Sequence, residues 1–318
     1  MTEEESALLL YEEAMTFVYA AALRAAASLG LADSLARGPS TAAELAKECG
    51  TDAQALYRIL RLLRSRGIVA QEEERFWLTE KGAALGRASS GILMFTDNLF
   101  WTTAQALAEG IREEQPPLEQ LLGVSFADYF ARDPRTEALF YEGMATVSAA
   151  ENERVAQCCE FPPSGVVADI GGGNGAFLRT VLEQNPGLRG ILLDRESVVA
   201  QGPWQAVAGD FRVTVPSADV YLLKRIVHNW DDEQSVRILG NCRRAMSRGG
   251  KVLLVDAIIP EDDRPHQSTA MDLMMLSIRT GQERTTAELR GLFQAAGLDL
   301  VRVIPTSTVM SIAEGVAQ

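Results

Sequence analysis

The stretch VVADIGGGNGAF, Val166–Phe177, sets four glycines within five residues directly after an apolar run that carries Asp169. The run Val166–Ile170 reads as a strand, and Ala176–Glu183 reads as a helix that stops at Asn185–Gly187. A strand that feeds a bare turn and then a helix lets a ligand rest on backbone amides at the helix N-terminus. Gly171, Gly173 and Ala176 satisfy the spacing G-x-G-x-x-[GA]. Asp194, at the end of the next strand Gly190–Leu193, stands where a carboxylate accepts hydrogen bonds from ribose hydroxyls. On this spacing alone the ligand contains adenosine, and NAD and S-adenosylmethionine both qualify.

Working toward the C-terminus, strands and helices alternate. Trp204–Ala208 reads as a weak strand before Gly209 and Asp210. Val220–Leu223 is a strand, Asp231–Met246 an amphipathic helix, and Lys251–Ile259 a strand. Thr285 with Glu288 is a capping-box pattern that opens a helix to Ala296. Leu298–Ile304 and Val309–Ala313 read as a closing antiparallel pair. This alternation predicts an α/β, Rossmann-like domain with a mostly parallel sheet and helices on both faces, over residues 161–318.

Toward the N-terminus the chain reads as helical. Apolar residues recur at helical spacing from Glu12 to Leu29, with Gly30 as the stop. Thr41 with Glu44, and Thr51 with Gln54, are capping-box patterns for two short helices separated by Gly50. Ile68–Ala70 and Phe76–Leu78 then read as strands around the acidic turn Glu72–Glu74. Helix, turn, helix and hairpin make a winged-helix arrangement, assigned here to residues 1–100. Arg58, Arg61, Arg64 and Arg66 are placed where phosphates would lie. Acidic residues match the basic ones in number across Thr41–Leu85, however, and three glutamates occupy the wing. A packing or dimerisation module is the reading favoured over DNA recognition. Residues 101–160 form a further helical region rich in aromatic residues and methionine, and Pro162–Pro163 mark the boundary that follows.

Composition narrows the classes. The 318 residues carry a net charge of −13, which opposes non-specific binding to nucleic acid or anionic lipid. No run of about 18 apolar residues is visible, so the expectation is no membrane span. The acidic start MTEEES is unlike a secretory signal, which implies a cytoplasmic protein. Four cysteines form no CxxC pair and the chain has two histidines, so no metal site is expected.

Three further features separate the two adenosine ligands. Asp169 precedes the glycines and can meet an ammonium group, which S-adenosylmethionine has and NAD lacks. Asp210, in the triplet GDF, follows the third strand and suits an adenine amino group, with Phe211 as a flat neighbour. No Tyr-x-x-x-Lys pair or other hydride-transfer apparatus is present. His228 lies just past the fourth strand, in YLLKRIVHNWDDE, and should reach the same crevice; the other histidine, His266, sits in a polar loop.

The pieces DIGGGNG, LLDRE, GDF, LLKRIVHNWDDE, GGKVLLVDAIIP, MDLMML and GQERTTAELRGLFQAAG occur in that order. Together they resemble the plant-type, S-adenosylmethionine-dependent O-methyltransferases, and the wording is most similar to the bacterial branch that modifies aromatic antibiotics and pigments. The resemblance implies an N-terminal dimerisation domain, a homodimer, and methyl transfer to an aromatic small molecule. It implies cofactor contacts from Gly171, Asp194, Asp210, Phe211 and Lys224, with His228 as general base. Asp256 and Glu283 stand where carboxylates orient that histidine. Phe140, Met144, Asn229 and Met275 stand at acceptor-contacting positions. The sequence departs from the pattern twice: Asp256 is one methylene shorter than the glutamate often found there, and Asp194 to Asp210 leaves little room for a helix.

A free phenol titrates near pH ~10 and a free histidine near ~6.5, so a neutral imidazole can take the phenol proton during attack. Methylation of nitrogen or carbon, a winged-helix ligand sensor and an NAD-dependent oxidoreductase remain the alternatives.

Overall fold

Seven strands form the sheet that carries the glycine turn: β4 (Gly165–Ile170), β5 (Leu188–Asp194), β6 (Trp204–Ala208), β7 (Ala218–Lys224), β8 (Met246–Asp256), β9 (Leu298–Pro305) and β10 (Ser311–Ala317). Their spatial order is β6-β5-β4-β7-β8-β10-β9, parallel except for β10, which runs antiparallel to both neighbours. The chain leaves β4 toward β5 on one side and later returns to lay β7 on the other. That reversal opens a crevice beyond the carboxyl ends of β4 and β7, where open α/β sheets bind ligands.

The computed structural model describes residues 1–113 and 116–318. It divides into one unit of residues 1–101 with 130–147, and a second of residues 102–129 with 148–318. The 101–160 stretch is shared between them.

In the second unit the strands are apolar on both faces, as a covered parallel sheet requires. Ala168, Ile170, Tyr221 and Leu223 point into one buried layer, with Leu239 and Phe293 from helices. Val167, Val220, Leu222 and Leu253 point into the other, with Leu178 and Val181 from the helix Ala176–Gln184. Phe293 fills the space against Gly315, where a Cβ would lie 2.1 Å from its ring. Between β5 and β6 the chain crosses in nine residues, Arg195 to Pro203, with no helix, as the short Asp194–Asp210 spacing demands.

The first unit contains the predicted helix–turn–helix and wing. Leu56, Leu60 and Leu63 are buried along one face of the helix Ala53–Ser65. The wing consists of β1 (Ser40–Thr41), β2 (Val69–Glu72) and β3 (Arg75–Leu78), in order β1-β3-β2. Arginines of that helix and just past it are used locally: Arg61 lies over the Tyr57 ring, Arg64 donates to Gln71 Oε1 at 2.6 Å, and Arg66, beyond the helix end, lies over Tyr19.

Two local expectations need correction. The Thr51–Gln54 box is not formed; Asp52 is the N-cap and accepts from Ala55 N–H, because a carboxylate one residue later competes for the same end. The Glu12–Leu29 helix is two helices, Glu3–Ala14 and Thr16–Ser28, separated at Met15. The Glu3–Ser28 stretch is also long and apolar enough, by length and composition, to cross a membrane, although no unbroken apolar run is present. Leu8, Leu9, Leu10, Tyr11, Met15 and Phe17 are exposed on it within this single chain.

Candidate active site

The carboxyl ends of five neighbouring strands gather the predicted residues of the second unit. From one side to the other come Asp210 after β6, Asp194 on β5, the glycine turn after β4, Lys224 and His228 at and after β7, and Asp256 on β8. In the turn, Gly171 and Gly173 have φ +69° and +60°, the left-handed region where a Cβ is strained. A Cβ on Gly173 would meet nothing within 4 Å, whereas one on Gly172 would strike the Asp169 carboxylate at 2.4 Å. The turn is therefore supported from below by Asp169 and open above. Gly173 N–H donates to Asp194 Oδ2 at 2.9 Å, and Arg195 N–H donates to Asp194 Oδ1 at 2.7 Å. These bonds tie the acid of β5 to the turn of β4.

Asp169 is buried beneath the glycines, and its Oδ2 has no hydrogen-bond partner. Burial pushes its carboxyl up to about 7, with Asp194 adding to the effect and Lys224 opposing it. Lys224 is itself committed. Its Nζ stands 3.1 Å from Glu151 Oε2 and 3.2 Å from Ser148 Oγ, and burial lowers its pKa. Arg225, a non-glycine residue at φ 57°, donates to Glu151 Oε1 at 2.6 Å. Glu151 thus pairs with two adjacent cations at the end of β7. Asp210 is held well below the usual carboxylate range by the Arg212 guanidinium, at 2.7–3.2 Å. The Phe211 ring borders the turn, since a Cβ on Gly171 would lie 3.3 Å from its Cε1.

His228 occupies a one-turn 3-10 helix, Val227–Asn229, and is buried. Its Nδ1 is 2.8 Å from Oε1 of Glu283, whose side chain is fully buried. A carboxylate oxygen accepts, so this contact puts a ring proton on Nδ1, and in the neutral imidazole Nε2 then carries the lone pair. Glu283 is fixed in turn by its own N–H, which donates to Asp272 Oδ1 at 2.9 Å. Asp256 reaches the main chain: its Oδ2 accepts the His228 N–H at 3.2 Å. Burial, first, and the neighbouring Glu283 push Asp256 up to about 7, against the opposing effects of His228 and Arg225.

The acceptor-side residues are divided between the two units. Asn229 spends its amide nitrogen on the Arg225 and Ile226 carbonyls, at 2.7 and 3.3 Å. Met275 is buried in the helix Gln267–Ile278. Phe140 and Met144 belong to the first unit, where the Phe140 ring lies 5.0 Å from that of Phe130. Three residues that the sequence reading passed over complete the site: Glu151, Arg225 and Arg284. A positive φ at a non-glycine residue and the burial of a charged side chain leave no mark in a single sequence. Among the described residues, no group of three metal-ligating side chains comes together.

Comparison with known proteins agrees with this geometry. Residues 104–299 match the O-methyltransferase domain, and residues 11–86 match the O-methyltransferase dimerisation domain. The chain belongs to this O-methyltransferase family, and it is an enzyme of the plant-type branch. It is 36% identical to a phenazine O-methyltransferase of Lysobacter antibioticus, over 92% of this chain and 91% of that one. The crystal structure of CalO1, a methyltransferase in calicheamicin biosynthesis in its SAH-bound form, is 55% identical, with a TM-score of 0.95 and 100% of both chains covered. NcsB1 of neocarzinostatin biosynthesis was solved with S-adenosylmethionine and 2-hydroxy-5-methyl naphthoic acid. It is 31% identical, with a TM-score of 0.74, covering 94% of this chain and 96% of that one.

Proposed function

We propose that this enzyme methylates a hydroxyl group of an aromatic small molecule in antibiotic or pigment biosynthesis, with His228 as the general base. S-adenosylmethionine is the methyl donor, and when bound it supplies an electrophilic sulfonium methyl. The residues present fit that group. The glycine turn is open above Gly173, the Asp194 carboxylate is held at its side, and the orphaned Asp169 Oδ2 lies beneath it. Gly171, Gly173, Asp194, Asp210 and Phe211 would hold it, with Asp169 and Lys224 setting the charge below.

The single observation that carries the reading is the 2.8 Å contact between His228 Nδ1 and the buried Glu283, one strand away from the glycine turn. With Nδ1 donating, Nε2 takes the proton of the acceptor hydroxyl as its oxygen becomes a nucleophile. The imidazolium that results sits against the Glu283 carboxylate, which stabilises it until the proton leaves. Such proton transfer typically contributes about a hundredfold or more, and positioning of the acceptor supplies much of the rest. Phe140, Met144, Asn229 and Met275 are the proposed acceptor contacts. The dimerisation-domain match supports a homodimer in which the exposed apolar residues of Glu3–Ser28 are covered.

The test is His228→Ala with labelled methyl donor and a panel of phenols read by mass. Affinity for S-adenosylhomocysteine should stay close to wild type while turnover falls at least about a hundredfold. Near-normal turnover by the variant removes the histidine from the mechanism.

A further inference from the structure

We propose that Arg284 is a positioning residue that clamps the one-turn helix carrying His228 and so sets where the imidazole points; the functional meaning rests on the reading of His228 as base. Arg284 is 3% exposed. A buried guanidinium usually meets a carboxylate with both arms of its fork. Among the described residues the only carboxylate paired with it is Asp232, 66% exposed, which accepts through Oδ1 alone at 2.8 and 3.1 Å. The other donors go to main-chain carbonyls: Trp230 O at 2.9 Å, with longer contacts to Val227 O and Gln282 O at 3.4 Å. Val227 and Trp230 bracket His228. The guanidinium therefore spans the turn from end to end.

Gly281 supports the same turn by close approach. A Cβ at that position would lie 2.1 Å from His228 O and 2.4 Å from Asn229 C. No side chain fits between the two backbones. The 281–284 segment is itself fastened, since Ile259 N–H donates to Arg284 O at 2.9 Å and Glu283 N–H donates to Asp272. A three-residue 3-10 turn has too few hydrogen bonds to hold its own direction. Four consecutive residues, 281–284, thus supply both the carboxylate that meets the ring and the clamp on the backbone that bears the ring. The 2.8 Å contact between His228 and Glu283 is set between two segments joined directly to each other.

The chain's two histidines make the imidazole addressable by nitrogen-15 NMR, and a His266→Gln variant leaves His228 alone. In wild type with S-adenosylhomocysteine, the Nδ1–H of His228 should appear as a hydrogen-bonded signal. In Arg284→Met that signal should be lost or broadened while circular dichroism and S-adenosylhomocysteine binding are retained. Arg284→Lys keeps the charge and some donors, and should restore part of the signal. Gly281→Ala should lose it with Arg284 intact. Turnover of any phenol accepted by wild type should fall at least about tenfold in Arg284→Met, with KM for S-adenosylmethionine nearly unchanged. A folded Arg284→Met with a wild-type His228 spectrum overturns the proposal. If that variant does not fold, wild-type spectra in both Arg284→Lys and Gly281→Ala overturn it. If the signal changes as described but wild-type protein methylates no phenol, the functional reading fails and the clamp stands.

Discussion

Replacing Asp256 by asparagine tests the electrostatics of the site with little change in packing. The side chain is 5% exposed, its Oδ2 accepts the His228 N–H, and its Oδ1 has no partner. The titratable and charged groups that bear on it are Glu283, which disfavours its ionisation, and His228 and Arg225, which favour it; burial outweighs these. Its folded carboxyl is raised to about 7, against ~3.9 for an unfolded aspartate. Between those values the folded chain holds a proton that the unfolded chain has lost, so stability falls as pH rises through the window. The contribution is fully present below pH ~4 and is lost by about pH 8. From about pH 5 to pH 8, one such group costs roughly 2.5 kcal/mol. Asparagine does not titrate, keeps the acceptor for His228 N–H, and places a donor where the orphaned oxygen was. The difference in stability between wild type and Asp256→Asn should therefore shift by that amount across the range, in favour of the variant at high pH. Urea unfolding at several pH values, followed by tryptophan fluorescence, reads it as a midpoint difference that changes by about 1 M. Asp169, also raised to about 7, contributes a parallel slope to both proteins and cancels in the comparison. Parallel wild-type and variant curves from pH 5 to 8 would mean Asp256 is ionised throughout, and the reasoning would fail.

Two glycines of the turn should separate stability from binding. Gly173→Ala faces open space at φ +60°, so it should cost about 1 kcal/mol in thermal unfolding but weaken S-adenosylhomocysteine measurably by calorimetry. Gly172→Ala drives a methyl into Asp169 and Leu192, at 2.4–2.5 Å, and should lower Tm much further. Glu151→Ala leaves Lys224 and Arg225 buried without their shared partner and should cost about 3–5 kcal/mol by chemical denaturation, with Glu151→Gln intermediate.

What the sequence disclosed and what it hid follow from the range of the interactions. The glycine turn, the capping boxes at Thr41 and Thr285, and the order of strands are local matters, and a window of ten residues contains their physics. The mostly parallel sheet follows from alternation because crossover rules leave few ways to lay such strands, whereas its spatial order, with β10 set between β8 and β9, is not legible in the sequence. Asp52 outcompeting Thr51 is also local, but the two caps differ too little in propensity for composition to choose between them. The pairing of His228 with Glu283 spans 55 residues, and no periodicity reports it; only resemblance to a family pointed there. Arg284 shows the limit most clearly. As a residue type it reads as a solvated charge following an acid, since arginine is rarely fully buried unless paired. Its burial becomes tolerable because Asp232 pairs with it and the turn after β7 adds the Trp230 and Val227 carbonyls as acceptors. The short turn that gives His228 its place at the strand end also presents the Trp230 carbonyl to the guanidinium at 2.9 Å, while Val227 O accepts the Trp230 N–H within the turn and meets the guanidinium at 3.4 Å. The base and its clamp thus meet on one short turn, and a change that lengthened it should weaken both.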